Sequence, residues 1–524
     1  MDSKKITAPD GTDPIDFVDV LDTKQNNDSG SELQKDIYDD DAVDPIYRAK
    51  SHILNEAIQE IGMGRYQWWL FVVAGFGWFA DSVWPVVSGL ILTPAVNEFQ
   101  FRPPFLSLAA NMGFLVGAAF WGLGCDLVGR RWAFNITLFI SGVFAIAAGG
   151  SPNFTTLAVL FGILGIGVGG NLPVDSAVFL EFIPGRNQYL LTIMSVWWAA
   201  GQLLASLLAW PLIANFSCPE TTNQEACPRS QNKGWRYVMF LLGGLMFLLW
   251  VIRFFVFRLL ESPRYLVGQG KDHEAIKVLH EVAAFNGKTC TVSVEDLQKV
   301  GENAGSPMKV NSFANVSRTS WIHIKRLFAT KKMALSTTLL ISQWGLIGLA
   351  STLYNSFLPF LFASKGAVFG DGSLNITYRN TAILSLTGVP GAFLAGWAVD
   401  LPFLGRRGTL MISCIVTAVL LFGTTTARSS NALLGWNCGY SFCSNIMYGV
   451  LYAISPEIFP ARDRGTGNGL TALSTRVFGV LAPIIALYAN IETAVPVYIS
   501  GALIILAGFI SLLLPFEPRG HSSL

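Results

Sequence analysis

Two ionisable residues stand where a chain of this composition has least reason to place them. Asp81, in "FADSV", follows thirteen residues, 68–80, with no charged side chain; Arg476, in "ALSTRVFGV", sits in another apolar run. A carboxyl held away from water can alternate between ionised and protonated forms, the chemistry of a proton carrier. An arginine stays charged at any ordinary pH, so out of water it needs a carboxylate partner or an anionic ligand. Asp81 is one such partner for Arg476 and a carboxylate solute is another. Asp175, among glycines in "GIGVGGNLPVD", joins a proton path or else belongs to a cluster of charges near the membrane surface. Arg253, near the end of its run, is expected to snorkel to the interface and receives no role. Trp197, Trp198, Gln202, Gln343, Tyr354, Asn355, Asn445, Tyr448 and Tyr452 could orient a small ligand, the rings by stacking and the amides by hydrogen bonding.

The elements that position these residues follow from composition. The chain has 524 residues, 52% hydrophobic and 14% charged, with mean hydropathy +0.46. Soluble domains carry about 25% charged residues, so most of this chain lies in a bilayer. A helix needs about 20 apolar residues to cross, and twelve runs qualify. Six (68–87, 105–125, 132–149, 155–178, 190–213, 237–257) precede a polar insert and six (333–361, 382–399, 409–426, 433–454, 470–488, 495–515) follow it. The expectation is an all-α membrane protein with twelve transmembrane helices in two pseudo-symmetric six-helix bundles. Residues 1–66 form a polar, mostly disordered tail, 67–257 the first bundle, 258–332 a central loop, 333–515 the second bundle and 516–524 a short tail. Within the loop, "DHEAIKVLHEVAAFNGK" has helical spacing and ends on Asn286-Gly287. Lys325, Arg326, Lys331 and Lys332 precede the seventh span, which puts the loop and both termini in the cytosol. Cys218 and Cys227 then share an external loop, either as a disulfide or as free thiols.

One charged phrase is written twice. "GLGCDLVGRR" (Asp126, Arg130, Arg131) joins spans two and three; "GWAVDLPFLGRR" (Asp400, Arg406, Arg407) joins spans eight and nine. A second pair repeats as well: "FLEFIPGRNQ" (Glu181, Arg186) after span four and "SPEIFPARDRGTG" (Glu457, Arg462, Arg464) after span ten. Duplicated six-helix halves are the ground plan of transporters that rock about a central site. Carboxylate–arginine contacts at equivalent corners would hold one face closed and release it when the halves part.

These phrases resemble the signature of the major facilitator superfamily. "LLESPRYL" after span six and the terminal "PFEPRG" resemble the sugar porters. "GMGRYQW", "FADSV" and "GIGVGGNLPVD" are closer to the branch of synaptic vesicle protein 2-related proteins and bacterial niacin transporters. The resemblance implies alternating access, with an Asp in span one as the proton site. The arginine that counters it from span four in proton-coupled porters falls on Phe161 here. In span seven, Gly348 stands where a sugar-contacting Asn is found, which weakens a hexose as substrate. The Gly-Pro order of proton antiporters is absent from span five, "GQLLASLLAWP".

The sequence thus points to a secondary active transporter of a small organic solute, by proton symport through Asp81. The favoured solute is an organic anion such as an aromatic carboxylate resembling nicotinate. A sugar or polyol symporter, a secondary-metabolite exporter and a non-transporting membrane sensor are the alternatives. No cofactor motif, metal-ligand spacing or catalytic constellation is visible. A net charge of +1 gives no footprint for nucleic acid. The expected partners are lipid, solute and protons, for a monomer in the plasma membrane.

Overall fold

The computed structural model describes residues 45–187, 190–218, 227–303, 324–369, 373–399, 405–459, 464–489 and 493–515. Their regular structure is helical throughout. The chain opens with α1 (Pro45–Ile61), followed by the first span α2 (Arg65–Leu90) and a short α3 (Leu92–Phe99). Then come α4 (Pro104–Val128), α5 (Arg130–Gly149), α6 (Phe154–Phe182), the four-residue α7 (Leu190–Ile193), α8 (Ser195–Phe216) and α9 (Gly234–Val251), the last continued by a π-turn over Ile252–Val256. The insert supplies α10 (Pro263–Gly268), α11 (Asp272–Phe285) and α12 (Val294–Asn303). The second half contains α13 (Lys331–Asn355), α14 (Leu358–Phe369), α15 (Leu374–Val399), α16 (Gly405–Gly423), α17 (Ser430–Ile458), α18 (Arg464–Tyr488) and α19 (Val495–Leu512).

Ten of the described helices are long and apolar enough by composition alone to cross a bilayer. α15 and α17 are as long, at 26 and 29 residues, but more polar, and they take the places of the eighth and tenth spans. Asn380, Thr381, Asn437 and Ser444 are buried there, facing other helices rather than lipid. The fold is a twelve-helix membrane bundle of two six-helix halves. Its pseudo-symmetry is legible in the packing. In the first half α4 packs on α6, α5 on α6 and α9, and α2 on α8; in the second, α15 packs on α17, α16 on α17 and α19, and α13 on α18. The two most extensive junctions between the halves are α8 on α15 and α4 on α18, and each is the image of the other when the halves are exchanged. Small residues permit the closest approaches. A Cβ on Gly169 of α6 would lie 2.2 Å from the Phe114 carbonyl of α4, so that crossing admits no side chain.

The polar lead carries more structure than its composition predicts. Pro45–Ile61 is a helix because its Leu54, Ala57, Ile58 and Ile61 share one face and are buried with Ala275, Leu279 and Val282 of α11 and Leu297 of α12. Lys50 pairs with Asp272, and Lys288 Nζ donates to the Ile61 carbonyl at 2.6 Å. Asn286 then ties this insert module to the bundle. Its Oδ1 accepts from the Tyr66 N–H at 2.9 Å, capping the start of α2, and its Nδ2 donates to Gln67 Oε1 at 2.9 Å.

At the opposite face the halves are joined directly. Tyr378 of α15 donates its hydroxyl to the Leu90 carbonyl of α2 at 2.6 Å, and Trp210 Nε1 of α8 donates to Asn375 Oδ1 at 2.8 Å. Cys218 and Cys227 are joined as a disulfide, the first of the two alternatives left by the sequence. Near it, Glu98 accepts from Arg236 (2.6 Å), Trp235 Nε1 (3.0 Å) and Asn232 (3.1 Å), fastening α3 to the start of α9.

Candidate functional site

Asp81 lies sixteen positions into α2, and α2 belongs to the first half; Arg476 lies twelve positions into α18, in the second. The fold brings them together as an ion pair, Arg476 Nη2 on Asp81 Oδ1. The Asp81 side chain is 5% exposed and that of Arg476 16%. Two aromatic groups steady the pair. Trp198 of α8 donates its indole N–H to the other Asp81 oxygen at 3.4 Å, and the Arg476 guanidinium lies 5.3 Å from the Phe114 ring of α4. Four helices from both halves thus converge on one carboxylate–guanidinium contact.

Aromatic residues continue the site into the second half. Trp198 packs on Tyr448 (5.6 Å), Trp78 on Tyr452 (5.3 Å) and Trp344 on Tyr452 (4.7 Å, edge-on). Trp344 is held by its own N–H to Ser455 Oγ at 2.7 Å. Tyr452 is in electrostatic reach of both Asp81 and Arg476, and Tyr448 of Arg476. Of the residues named from sequence, Asp81, Arg476, Trp198, Tyr448 and Tyr452 therefore converge. Gln202, one turn along α8 from Trp198, is half-buried.

The others are placed elsewhere. Trp197 meets Phe76 edge-on at 6.2 Å. Gln343 donates to the Ala507 carbonyl of α19 at 3.2 Å. Tyr354 donates to Asn437 (2.7 Å) and Asn355 accepts from Tyr440 (3.3 Å), locking α13 to α17. Asn445 donates to the Ser441 carbonyl one turn back at 2.9 Å. Trp78, Trp344 and Phe114 were not singled out from sequence. Trp78 had a signal, because it lies three positions before Asp81 and so shares its face.

Asp175 has a partner that the sequence reading excluded. Arg253 does not snorkel: both side chains are fully buried, with Arg253 Nη2 at 2.5 Å from Asp175 Oδ2 and Nη1 at 3.4 Å from Oδ1. The same guanidinium donates to the Phe134 carbonyl (2.7 Å) and the Val73 carbonyl (2.8 Å), and stacks on the Phe134 ring at 3.6 Å. The reason for the correction is packing: Arg253 lies seven positions, about two turns, after Met246 and continues the buried face of Trp235, Met239, Leu242 and Met246. The run is apolar on every side, so hydropathy alone does not show which face turns inward. Gly77 makes room for the acid, since a Cβ there would lie 1.7 Å from Asp175 Oδ2.

At the insert face Arg130 pairs with Glu181. Glu261 Oε1 accepts from the backbone N–H groups of Arg130 (3.1 Å) and Arg131 (3.4 Å) at the N-terminus of α5, where a carboxylate suits the helix dipole. Arg131 is exposed, Arg406 is partly buried, and Arg407 donates to the Ser511 and Leu512 carbonyls at the end of α19. Asp400 and Arg462 lie outside the described residues, as do the side chains of Asp126, Arg186, Glu457 and Arg464.

Known proteins share this architecture. Residues 104–517 match the sugar (and other) transporter family. The chain is 64% identical over 494 residues to MFS siderochrome iron transporter 1 of Ceriporiopsis subvermispora, covering 93% of this chain and 94% of that protein. It is 27% identical to the niacin transporter NiaP of Acinetobacter baylyi, over 82% of this chain and 88% of that one. The xylose transporter XylE of E. coli, in a partially occluded inward-open conformation, superposes with a TM-score of 0.63 at 18% identity, over 87% of this chain and 99% of that one. The chain belongs to the sugar (and other) transporter family of the major facilitator superfamily.

Proposed function

We propose that this transporter moves a small organic anion together with a proton, and that Asp81 and Arg476 couple the two. The observation that carries the reading is the position of the pair, one member on each half, among aromatic rings. While Asp81 is ionised it occupies the guanidinium. Protonation removes its charge and frees Arg476 for the carboxylate of a solute, so proton and anion enter the site together. Trp198 remains as a neutral donor to Asp81, and the Trp and Tyr rings suit a flat solute. An aromatic carboxylate resembling nicotinate is the favoured substrate, supported by the kinship with the niacin transporter. We further place the insert face and both termini in the cytosol, at the plasma membrane, as a monomer.

A second reading has its own support. The siderochrome iron transporter that shares 64% identity favours a ferric siderochrome as cargo. A sugar is disfavoured because Gln343 is engaged with α19, away from the charge pair.

The test is uptake into liposomes containing the full-length protein. Labelled nicotinate should accumulate under an inward proton gradient and not without one, and Asp81→Asn should abolish accumulation. Accumulation of a labelled ferric siderochrome instead would establish the second reading. Full gradient-driven accumulation by Asp81→Asn would remove Asp81 from the coupling.

A further inference from the structure

Asp81 and the buried Asp175–Arg253 pair stand on neighbouring helices, and the register between them is set by three contacts. Tyr66 of α2 packs on Phe182 of α6 (5.4 Å), Phe71 on Phe179 (5.9 Å), and Gly77 abuts Asp175. Each step forward on α2 is a step back on α6, as antiparallel neighbours require. One further turn brings Asp81 level with Asn171. Asn171 is 0% exposed, and neither its Nδ2 nor its Oδ1 finds a hydrogen-bond partner among the described residues. Leaving a buried carboxamide without partners costs roughly 1–3 kcal/mol. A buried water bonded to both groups relieves that cost.

We propose that Asn171 holds water that connects Asp81 to the Asp175–Arg253 pair, making that pair the station through which the proton leaves Asp81 on the insert side. This deepens the proposed symport and rests on it. Asn171 and Asp175 are one turn apart on α6, about 5–6 Å between Cβ atoms, a gap that one water spans. In the transfer, the O–H bond of protonated Asp81 breaks as a water oxygen takes the proton. That water passes one of its protons to a carboxylate oxygen of Asp175, and no electrons leave the chain. Arg253 stays charged throughout and tolerates the loss of its counter-ion, because the Phe134 and Val73 carbonyls and the Phe134 ring still hold it. The charged and titratable groups that face this path are Arg476, Tyr448 and Tyr452 at the Asp81 end and Arg253 at the other.

Asn171→Leu keeps the volume and removes the water ligand, while Asn171→Ser restores a polar group. In liposomes, Asn171→Leu should slow gradient-driven nicotinate accumulation by about tenfold or more. It should leave exchange of labelled for unlabelled nicotinate at equal pH unchanged, and Asn171→Ser should recover most of the loss. Equal losses in accumulation and exchange would make Asn171 a packing residue and overturn the relay; so would unchanged accumulation. If the wild-type protein carries no nicotinate, the proposed substrate fails, and infrared difference spectra taken on acidification decide the relay separately. A bound-water O–H band, identified by its shift in H₂¹⁸O, should be present in the wild type and missing from Asn171→Leu. Its persistence in the variant would refute the water site.

Discussion

Among the described residues are two buried Asp–Arg pairs, and they differ in what they join. Asp175–Arg253 lies wholly inside the first half, fully buried, with the guanidinium also bonded to two carbonyls and stacked on Phe134. Asp81–Arg476 joins the two halves, keeps partial exposure at Arg476, and is supported more loosely, by the Trp198 N–H at 3.4 Å and the Phe114 ring at 5.3 Å. A buried ion pair adds little stability over an apolar core, yet removing one partner is costly because the other is left charged. A pair inside one rigid half can therefore be locked by every available neighbour. A pair across a moving boundary must be easy to break, and few supporting bonds make it so. The same two residue types thus serve in one place as a brace whose geometry is held by its neighbours, and in the other as a contact that parts with the halves.

The sharpest way to break this comparison is to remove each arginine. Arg253→Met should destabilise the first half by about 3–5 kcal/mol, read as a large fall in the melting temperature of detergent-solubilised protein or as failure to reach the membrane. Arg476→Gln should leave the melting temperature nearly unchanged while impairing anionic solutes far more than neutral ones. Equal thermal losses would erase the distinction between brace and contact. Smaller, and aimed at the brace alone, Gly77→Ala should cost roughly 1–3 kcal/mol by overpacking against Asp175, with a lower melting temperature as the readout. Smaller again is the energy of the contact itself. A double-mutant cycle of Asp81→Asn and Arg476→Gln should give a thermal coupling on the order of 1 kcal/mol or less, whereas the same cycle on transport should show strong coupling. The weakest effect is expected at the opposite face. Tyr378→Phe removes the bond to the Leu90 carbonyl and should cost about 0.5–1.5 kcal/mol, seen as faster labelling of cysteines introduced beside it.

Sequence patterns and tertiary structure contributed different parts of this account. The doubled phrases at Asp126 and Asp400 implied a repeated half, and the exchange symmetry of the α8–α15 and α4–α18 junctions agrees with it. The lone charges Asp81 and Arg476 were conspicuous because an apolar run has no other reason to hold them. Span ends were less legible: the seventh span stops at Asn355, where the apolar run continues into α14, because hydropathy does not register a break in a helix. α1 was hidden in a polar lead whose apolar face becomes evident only against α11 and α12. The amides and tyrosines at Gln343, Tyr354 and Asn355 read as ligand groups, yet they bond to neighbouring helices, and nothing local to α13 could have distinguished the two.

What the sequence determined by itself is the medium, the number of spans, the duplication and the residues that must be explained. Those follow from composition and period, which act along one helix at a time. Only the tertiary structure decided which charge meets which. Asp81 found Arg476 across 395 positions of chain, and Arg253 found Asp175 because packing turned its face of α9 inward. Partner choice depends on helix register and rotation, and neither is encoded within the span that carries the residue.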